Sequence, residues 1–401
     1  MNKVTDQYEA LPYPARDPKD EKKRLITGSP SHPYEIDHFL FGGARDWSKP
    51  FKVLVAGGGT GDALIQIAQT LTSAGQPYDI TYVDLSTASR AIAEARARER
   101  GLDGITFVTG SLLDAPKMGQ FDYIDCCGVL HHLPEPQEGF NALSAALTDD
   151  GGMGLMVYAP FGRAGVYPLQ EAFATTLTGS VNDRLRRAKA IYNRVPGGHP
   201  FKRNPNVNDH KSGDAGFYDL LLHTQDRPYR IGELIDALEE AGLQMTGSPQ
   251  AYMYDPLPIL GDPGLLVGLG TKERMDLSEA LWGTIRLHVV YAAKSAEGRV
   301  AKPTPTSIPH LKGVSGPKLA EHAAKKGVIP INFEGGKVEI PIPGIAARAL
   351  GHMDGQNSLQ DIAKRLKTDW ISFSPVWASV SEPLTKHGVL HYSALRMKKA
   401  G

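Results

Sequence analysis

From residue 51 onward the apolar positions follow two periods in turn. FKVLVA (51–56) is a short apolar run closed by glycines, the pattern of a buried strand. The next segment, DALIQIAQTL (62–71), places Leu64, Ile67, Ala68 and Leu71 on one face of a helix. DITYVDL (79–85) predicts a second strand, and ASRAIAEARARER (88–100) a helix ending near Gly101. ITFVTG (105–110), FDYIDCCGVL (121–130) and MGLMVYA (153–159) are further strands, with a helix over EGFNALSAAL (138–147). Strands and helices alternating in this way imply right-handed βαβ units and a parallel sheet. After a helix over RIGELIDALEEAGL (230–243), LQMTGSPQAYMY (243–254) and TIRLHVVYAAK (284–294) are candidate closing strands.

The flanks break the rhythm. Residues 1–50 are rich in Pro, Tyr and charge, and YEALPYPARDP (8–18) reads as extended, because proline disfavours helix in the residue before it. They form an arm or cap. Residues 161–228 hold a helical piece around LQEAFATTL, the basic piece NDRLRRAKAIYNR and a long loop over 195–219. A loop of that length inside a compact domain suggests a lid. Residues 51–296 make the main domain and the Pro/Thr/Lys-rich residues 297–330 a linker. Residues 331–401 make a small unit of short helices that ends in a hydrophobic strand, read as winged-helix-like.

With 401 residues, a large α/β domain plus a smaller one is expected. The formal net charge is zero, which argues against a nucleic-acid or acidic-lipid partner. The interleaved tyrosine of NDRLRRAKAIYNR is weak support for RNA, and such a run more often makes a solvated helix face. No apolar run reaches signal-peptide or membrane-spanning length, so a soluble cytoplasmic protein is expected. The two cysteines, Cys126 and Cys127, are adjacent and offer neither a disulfide framework nor zinc spacing; no metal is expected.

The glycine cluster VLVAGGGTGDA (53–63) decides which ligand class the sheet takes. A dinucleotide loop needs glycine or alanine where Asp62 or Leu64 stands, and a P-loop needs lysine where Asp62 stands. The alternating Gly57, Gly59 and Gly61 let the backbone approach a ligand that carries no phosphate. Together with TYVDLS, FVTGSLLDAP, FDYIDCCGVLHHLPEP and TDDGGMGLMVYA, in that order, the stretch over roughly 50–295 resembles the class I S-adenosylmethionine (SAM)-dependent methyltransferases. The arm and the extra C-terminal unit resemble those of a bacterial group within that family.

The resemblance implies a doubly wound, seven-stranded Rossmann-like sheet with a lid insertion and a small α+β C-terminal domain. It also implies SAM as cofactor, with S-adenosylhomocysteine as product. Gly57, Gly58, Gly59, Thr60 and Gly61 would form the cofactor loop, and Asp84 would accept the ribose hydroxyls, as an acid at that strand end can. Leu85, Ser111, Leu112, Cys127 and Gly128 fall on the later cofactor motifs. Two departures stand out: Val55 occupies the position where the family carries an acid, and Ser111 replaces the aspartate after the third strand. Arg16, on the arm, is a candidate partner for the cofactor carboxylate.

On the acceptor side, His131 and His132 follow the fourth strand and Tyr158 ends the fifth. These are the catalytic candidates, as base or substrate contact; the alternative is that one histidine packs under the loop and the other touches the cofactor. Tyr8, Tyr13, His38, Arg163, Tyr167, Tyr218 and His223 are candidate substrate contacts, and Glu35, Asp37, Asp214 and Asp226 lie in the same segments. The expected activity is methyl transfer to an N, O or S nucleophile of a small molecule. The alternatives are a peptide or protein acceptor docked by the C-terminal unit, which has homodimer formation as its other role, and a SAM-binding regulator without catalysis.

Overall fold

The computed structural model describes residues 3–333 and 335–397. Seven strands form its central sheet: β1 (Phe51–Ala56), β2 (Tyr78–Asp84), β3 (Ile105–Thr109), β4 (Phe121–Cys127), β5 (Leu147–Tyr158), β6 (Gln244–Gly247) and β7 (Leu287–Ala293). Their order is β3-β2-β1-β4-β5-β7-β6, with β1 to β5 parallel and β7 antiparallel to both neighbours. Chain order reverses between β1 and β4, and a ligand crevice opens outside the carboxyl ends there. Helix α3 (Asp62–Ala74) buries Leu64, Ile67, Ala68 and Leu71, the face its periodicity predicts, and α4 (Thr87–Glu99) starts at Ser86, whose Oγ accepts from the Ser89 amide. Of the candidate closing strand 243–254 only β6 pairs, and a 3-10 turn follows at Ala251–Tyr254.

The first fifty residues are more than an arm. Helix α1 (Lys3–Ala10) replaces the first part of the extended segment and ends ahead of Pro12, where the ring bars a further turn. Helix α2 (Pro33–Leu40) is part of the core, with Ile36 and Leu40 fully buried and Phe39 stacked on Tyr291 of β7 at 4.8 Å. Its other face carries Glu35, Asp37 and His38, all buried, and meets the C-terminal unit. The insertion likewise has its own small core, in which Phe173, Phe201, Phe217 and Leu221 pack together. Helices Val166–Thr176, Val181–Arg194 and Gly213–Leu222 build it, so the expected loop over 195–219 ends in helix. The basic run lies on Val181–Arg194: Arg186 pairs with Asp183 at the surface, and Arg184 donates to the Tyr218 hydroxyl at 2.7 Å.

The linker boundary also changes. β8 (Pro309–Leu311) pairs antiparallel with β11 (Leu390–Tyr392), and helix Gly316–Lys326 sends Leu319 and Ala323 into the C-terminal core. The i,i+4 apolar spacing of those two residues makes a buried stripe inside a segment whose composition reads as linker. The rest of the unit is the hairpin β9 (Val328–Phe333) and β10 (Gly336–Pro341) with helices Gly344–Leu350, Leu359–Arg365 and Trp370–Lys386, packed around Phe373 and Trp377. Among the described residues no helix is long and apolar enough to cross a membrane.

Candidate active site

A cavity of about 740 Å³ lies at the carboxyl ends of β1, β2, β4 and β5, closed over by α1 and the insertion. Gly57, Gly58, Gly59, Asp84, Leu85, Ser111, Leu112, Cys127 and Gly128 line it. The loop conformation explains its glycines. Gly57 and Gly59 adopt positive φ, and a Cβ on Gly58 would stand 2.3 Å from the Tyr82 ring. Asp84 braces this loop, accepting from the Gly59 amide through Oδ2 and from the Ser86 amide through Oδ1, both at 2.8 Å. Burial raises its pKa, and the two amides oppose that rise. Asp84→Ala is expected to weaken SAM binding about ten- to hundred-fold by titration calorimetry. Unchanged affinity would remove Asp84 from the cofactor site.

Thr60 and Gly61 lie behind the loop rather than on the cavity wall. Thr60 donates to the Pro14 carbonyl at 2.8 Å, and a Cβ on Gly61 would press on Ala93. Arg16 reaches the wall, but its guanidinium is committed to Asp62, with Nε to Oδ1 at 2.9 Å and Nη2 to Oδ2 at 2.6 Å. The fork that suits a cofactor carboxylate therefore holds a protein carboxylate instead. Arg96, fully buried on α4, binds the same Asp62 at 2.7 Å, the Thr60 carbonyl at 2.8 Å and Glu21 at 2.6 Å. This cluster ties the arm and the glycine loop to α4. Arg96→Met leaves the Glu21 and Asp62 carboxylates short of a partner, and a loss of about 3–5 kcal/mol in urea unfolding is expected. A loss under about 1 kcal/mol would mean that Arg16 on Asp62 and Arg100, which also pairs with Glu21, suffice to compensate them.

The opposite pole of the cavity is built from the arm, the end of β5 and the insertion. Tyr8, Tyr13, His132, Tyr158, Arg163, Asp209 and Asp219 line it. The Tyr8 hydroxyl donates to Asp219 Oδ1 at 3.0 Å and lies 3.3 Å from His223 Nε2. His223 Nδ1 accepts the Gln225 amide at 3.1 Å, so in the neutral ring the proton sits on Nε2, facing Tyr8. A chain thus runs from His223 through Tyr8 to Asp219. Asp219 is 3% exposed, and burial pushes its carboxyl up to about 7, against the pull of the Tyr8 hydrogen bond.

His131 and His132 play different parts. His131 does not reach the cavity wall; it is buried between His132 and Tyr158, both ring centroids 4.1 Å away, and neither ring nitrogen has a hydrogen-bond partner. Burial, with His132 and Arg163 adjacent, holds it well below its usual pKa and therefore neutral. His132 does line the cavity. Its Nδ1 lies 2.7 Å from the Gln225 carbonyl, which fixes the proton there and leaves Nε2 as a lone pair. Burial lowers its pKa to about 4, so it is a weak base near neutral pH.

Several other candidates sit away from the cavity. His38 is buried under the C-terminal unit and accepts from the Tyr392 amide at 3.1 Å, while Glu35 and Asp37 are buried beside it. Tyr218 points into the insertion, bonded to Arg184, and Tyr167 stands behind Arg163 at 3.1 Å. Arg163 lies 3.6 Å above the Tyr158 ring and pairs with Asp226 at 3.3 Å. Ligand atoms of His131, His132 and Asp226 fall within 4.8 Å of one another, yet Arg163 already supplies the positive charge at that point. Asp219 escapes the sequence reading, although an acid inside the apolar run FYDLLLH is a signal, since a buried carboxyl needs a partner.

The comparisons agree with this geometry. Residues 54–153 match a family model described as "Methyltransferase domain". An uncharacterized protein of Synechococcus sp. is 30% identical over 270 residues, which are 66% of this chain and 63% of the relative; the match spans less than two thirds of that protein's length. PKMT2 of Rickettsia typhi is similar in structure, in complex with AdoHcy and in a second structure. The TM-score is 0.65 for both, over 93% of this chain and 77% and 78% of those chains. Their identities, 16% and 15%, make this a likeness of fold. The glycine cradle, the braced Asp84 and the cavity volume fit the cofactor such a domain takes. Residues 54–153 therefore match a methyltransferase domain, set in a seven-stranded Rossmann-like sheet, with S-adenosylmethionine as its cofactor.

Proposed function

We propose that this protein transfers the cofactor's methyl group to an N, O or S nucleophile of a small molecule, and that Asp219 takes the nucleophile's proton. The observation that carries the reading is one continuous cavity, running from Asp84 at the cofactor loop to Asp219 and Tyr8 under the insertion. Bound S-adenosylmethionine supplies a sulfonium methyl open to in-line displacement. The nucleophile's electron pair forms the new bond to carbon as the carbon–sulfur bond breaks and sulfur keeps its pair. Tyr158, His132 and Tyr8 would set the acceptor's direction, and α1 with the insertion would exclude water. Asp219, with its pKa near 7, is better matched to proton removal at neutral pH than His132, near 4.

The volume also bears on the acceptor. About 740 Å³ holds the cofactor and a small acceptor, or only the reacting end of a larger one. Incubation with methyl-labelled SAM and a size-fractionated cell extract separates the readings. Label in the small-molecule fraction supports the proposal. Label in the macromolecular fraction moves the acceptor to a protein or peptide docked by the C-terminal unit. Saturable SAM binding with no labelled fraction would favour a regulator without catalysis.

A further inference from the structure

A cofactor lying across β2, β1 and β4, with its ribose at Asp84, needs a second anchor for its amino-acid end. That end carries an ammonium and a carboxylate. Val55, two residues before Gly57, offers neither charge nor hydrogen bond. In the parallel pairing of β1 with β4, however, Val55 stands opposite Asp125. In-register residues of neighbouring strands project to the same face. The acid absent from β1 is thus present one strand over, at the same level of the sheet.

Asp125 is 1% exposed and lines the cavity. Oδ2 accepts from the Ser31 hydroxyl at 2.7 Å and from the Tyr123 hydroxyl at 3.3 Å. Oδ1 is buried and has no hydrogen-bond partner among the described residues. Gln66 of α3, 2% exposed, lines the same cavity. Its Oε1 accepts from the Gly28 amide at 2.8 Å, which fixes the orientation of the amide group. Its Nε2 is therefore the free end, buried and likewise without a partner. A buried acceptor and a buried donor, each lacking one bond on the wall of one cavity, match a zwitterion.

The other acids on the wall are engaged elsewhere. Asp62 is clasped by Arg16 and Arg96, Asp84 by two backbone amides, and Asp209 and Asp219 stand on the insertion. We propose that Asp125, supported by Ser31, holds the α-ammonium of S-adenosylmethionine and that Gln66 Nε2 holds its α-carboxylate. The proposal rests on the placement of the cofactor at Asp84.

Equilibrium binding tests it with S-adenosylhomocysteine, its analogue lacking only the α-amino group, and 5′-methylthioadenosine, which lacks the whole amino-acid end. The wild-type protein should bind S-adenosylhomocysteine about ten-fold or more tighter than the deamino analogue. In Asp125→Asn that gap should close to within about three-fold, with methylthioadenosine affinity unchanged. Gln66→Glu, which faces the ligand carboxylate with a second one, should weaken S-adenosylhomocysteine at least ten-fold and spare methylthioadenosine. No gap in the wild type, or a gap that persists in Asp125→Asn, overturns the proposal; the wild-type comparison stands even where a variant does not fold. Failure of methylthioadenosine to bind the wild type would instead count against the placement at Asp84.

Discussion

Asp219→Asn is expected to lower methyl transfer about a hundred-fold or more while SAM affinity stays within about two-fold. The size follows from what a positioned base contributes, about 10²–10⁴ in rate. The separation of the two effects follows from position, because Asp219 stands on the insertion beside Tyr8 and Tyr158, at the pole opposite Asp84. The pH profile gives the more specific test. Burial raises the Asp219 carboxyl to about 7 and the base must be the anion, so kcat/KM should fall as pH drops through about 7, about ten-fold per unit below it. Tyr8→Phe removes a hydrogen bond that lowers this pKa, so the limb should move to higher pH while the fold is retained. A rate lost in Asp219→Asn with no such limb in the wild type would make Asp219 a packing residue, and a rate within about three-fold of wild type would remove it from the chemistry.

The sheet was legible because its signals are local. Each strand from β1 to β5 is a short stretch dominated by apolar and β-branched residues and bounded by glycine or polar residues, and the glycine cluster together with Asp84 lies on one strand–turn–helix unit and the strand beside it. Residues whose environment comes from distant chain were not legible. Arg16 has the chemistry of a carboxylate ligand, and its actual carboxylate, Asp62, lies within the very motif it was expected to serve. Tyr218 and Asp219 are neighbours on one helix, set about 100° apart by its turn, and so meet different partners: Tyr218 meets Arg184, and Asp219 meets Tyr8 from the other end of the chain. Asp125 sits inside a strand whose sequence reads as core, and only the register against Val55 brings out its position. Helix α2 is the strongest case. Glu35, Asp37 and His38 read as pocket groups because charges normally stay at a surface or a site, but each has a partner more than two hundred residues later.

Those partners make the C-terminal unit part of the fold of the methyltransferase domain. Glu35 is fully buried; Lys312 of the C-terminal unit pairs with its Oε1, and Tyr291 donates to its Oε2 at 2.9 Å. Asp37 accepts from Ser393 Oγ at 2.7 Å and the Ala394 amide at 2.9 Å. Truncation after residue 296 would remove Lys312 from Glu35 and both Ser393 and the Ala394 amide from Asp37 at once, and uncover the polar face of α2, leaving Glu35 with Tyr291 and Asp37 with Trp47 and the Arg45 amide. Breaking one buried pair costs about 3–5 kcal/mol, and a whole domain has about 5–15 kcal/mol to lose. The truncated chain is therefore expected to fail to fold; a soluble fragment that melts cooperatively and binds SAM would overturn this. Lys312→Met isolates one term, with an expected loss of about 3 kcal/mol at neutral pH, read from the urea midpoint. Burial alone would raise the Glu35 carboxyl, but Lys312 and the nearby His391 hold it down to about 2, below the ordinary value of 4.5. A folded-state pKa below the unfolded one gives stability that is complete above about 4.5 and is lost as pH falls from there toward 2. Without Lys312 burial raises the Glu35 carboxyl, so the difference between wild type and Lys312→Met should be largest at neutral pH and above and shrink steadily as pH falls toward 2. Lys312 also donates to Ser29 Oγ at 2.6 Å, and Ser29 lines the cavity near Ser31 and Asp125. A folded Lys312→Met protein should therefore also bind SAM more weakly than wild type, because the wall that supports the cofactor's amino-acid end is held from the C-terminal unit.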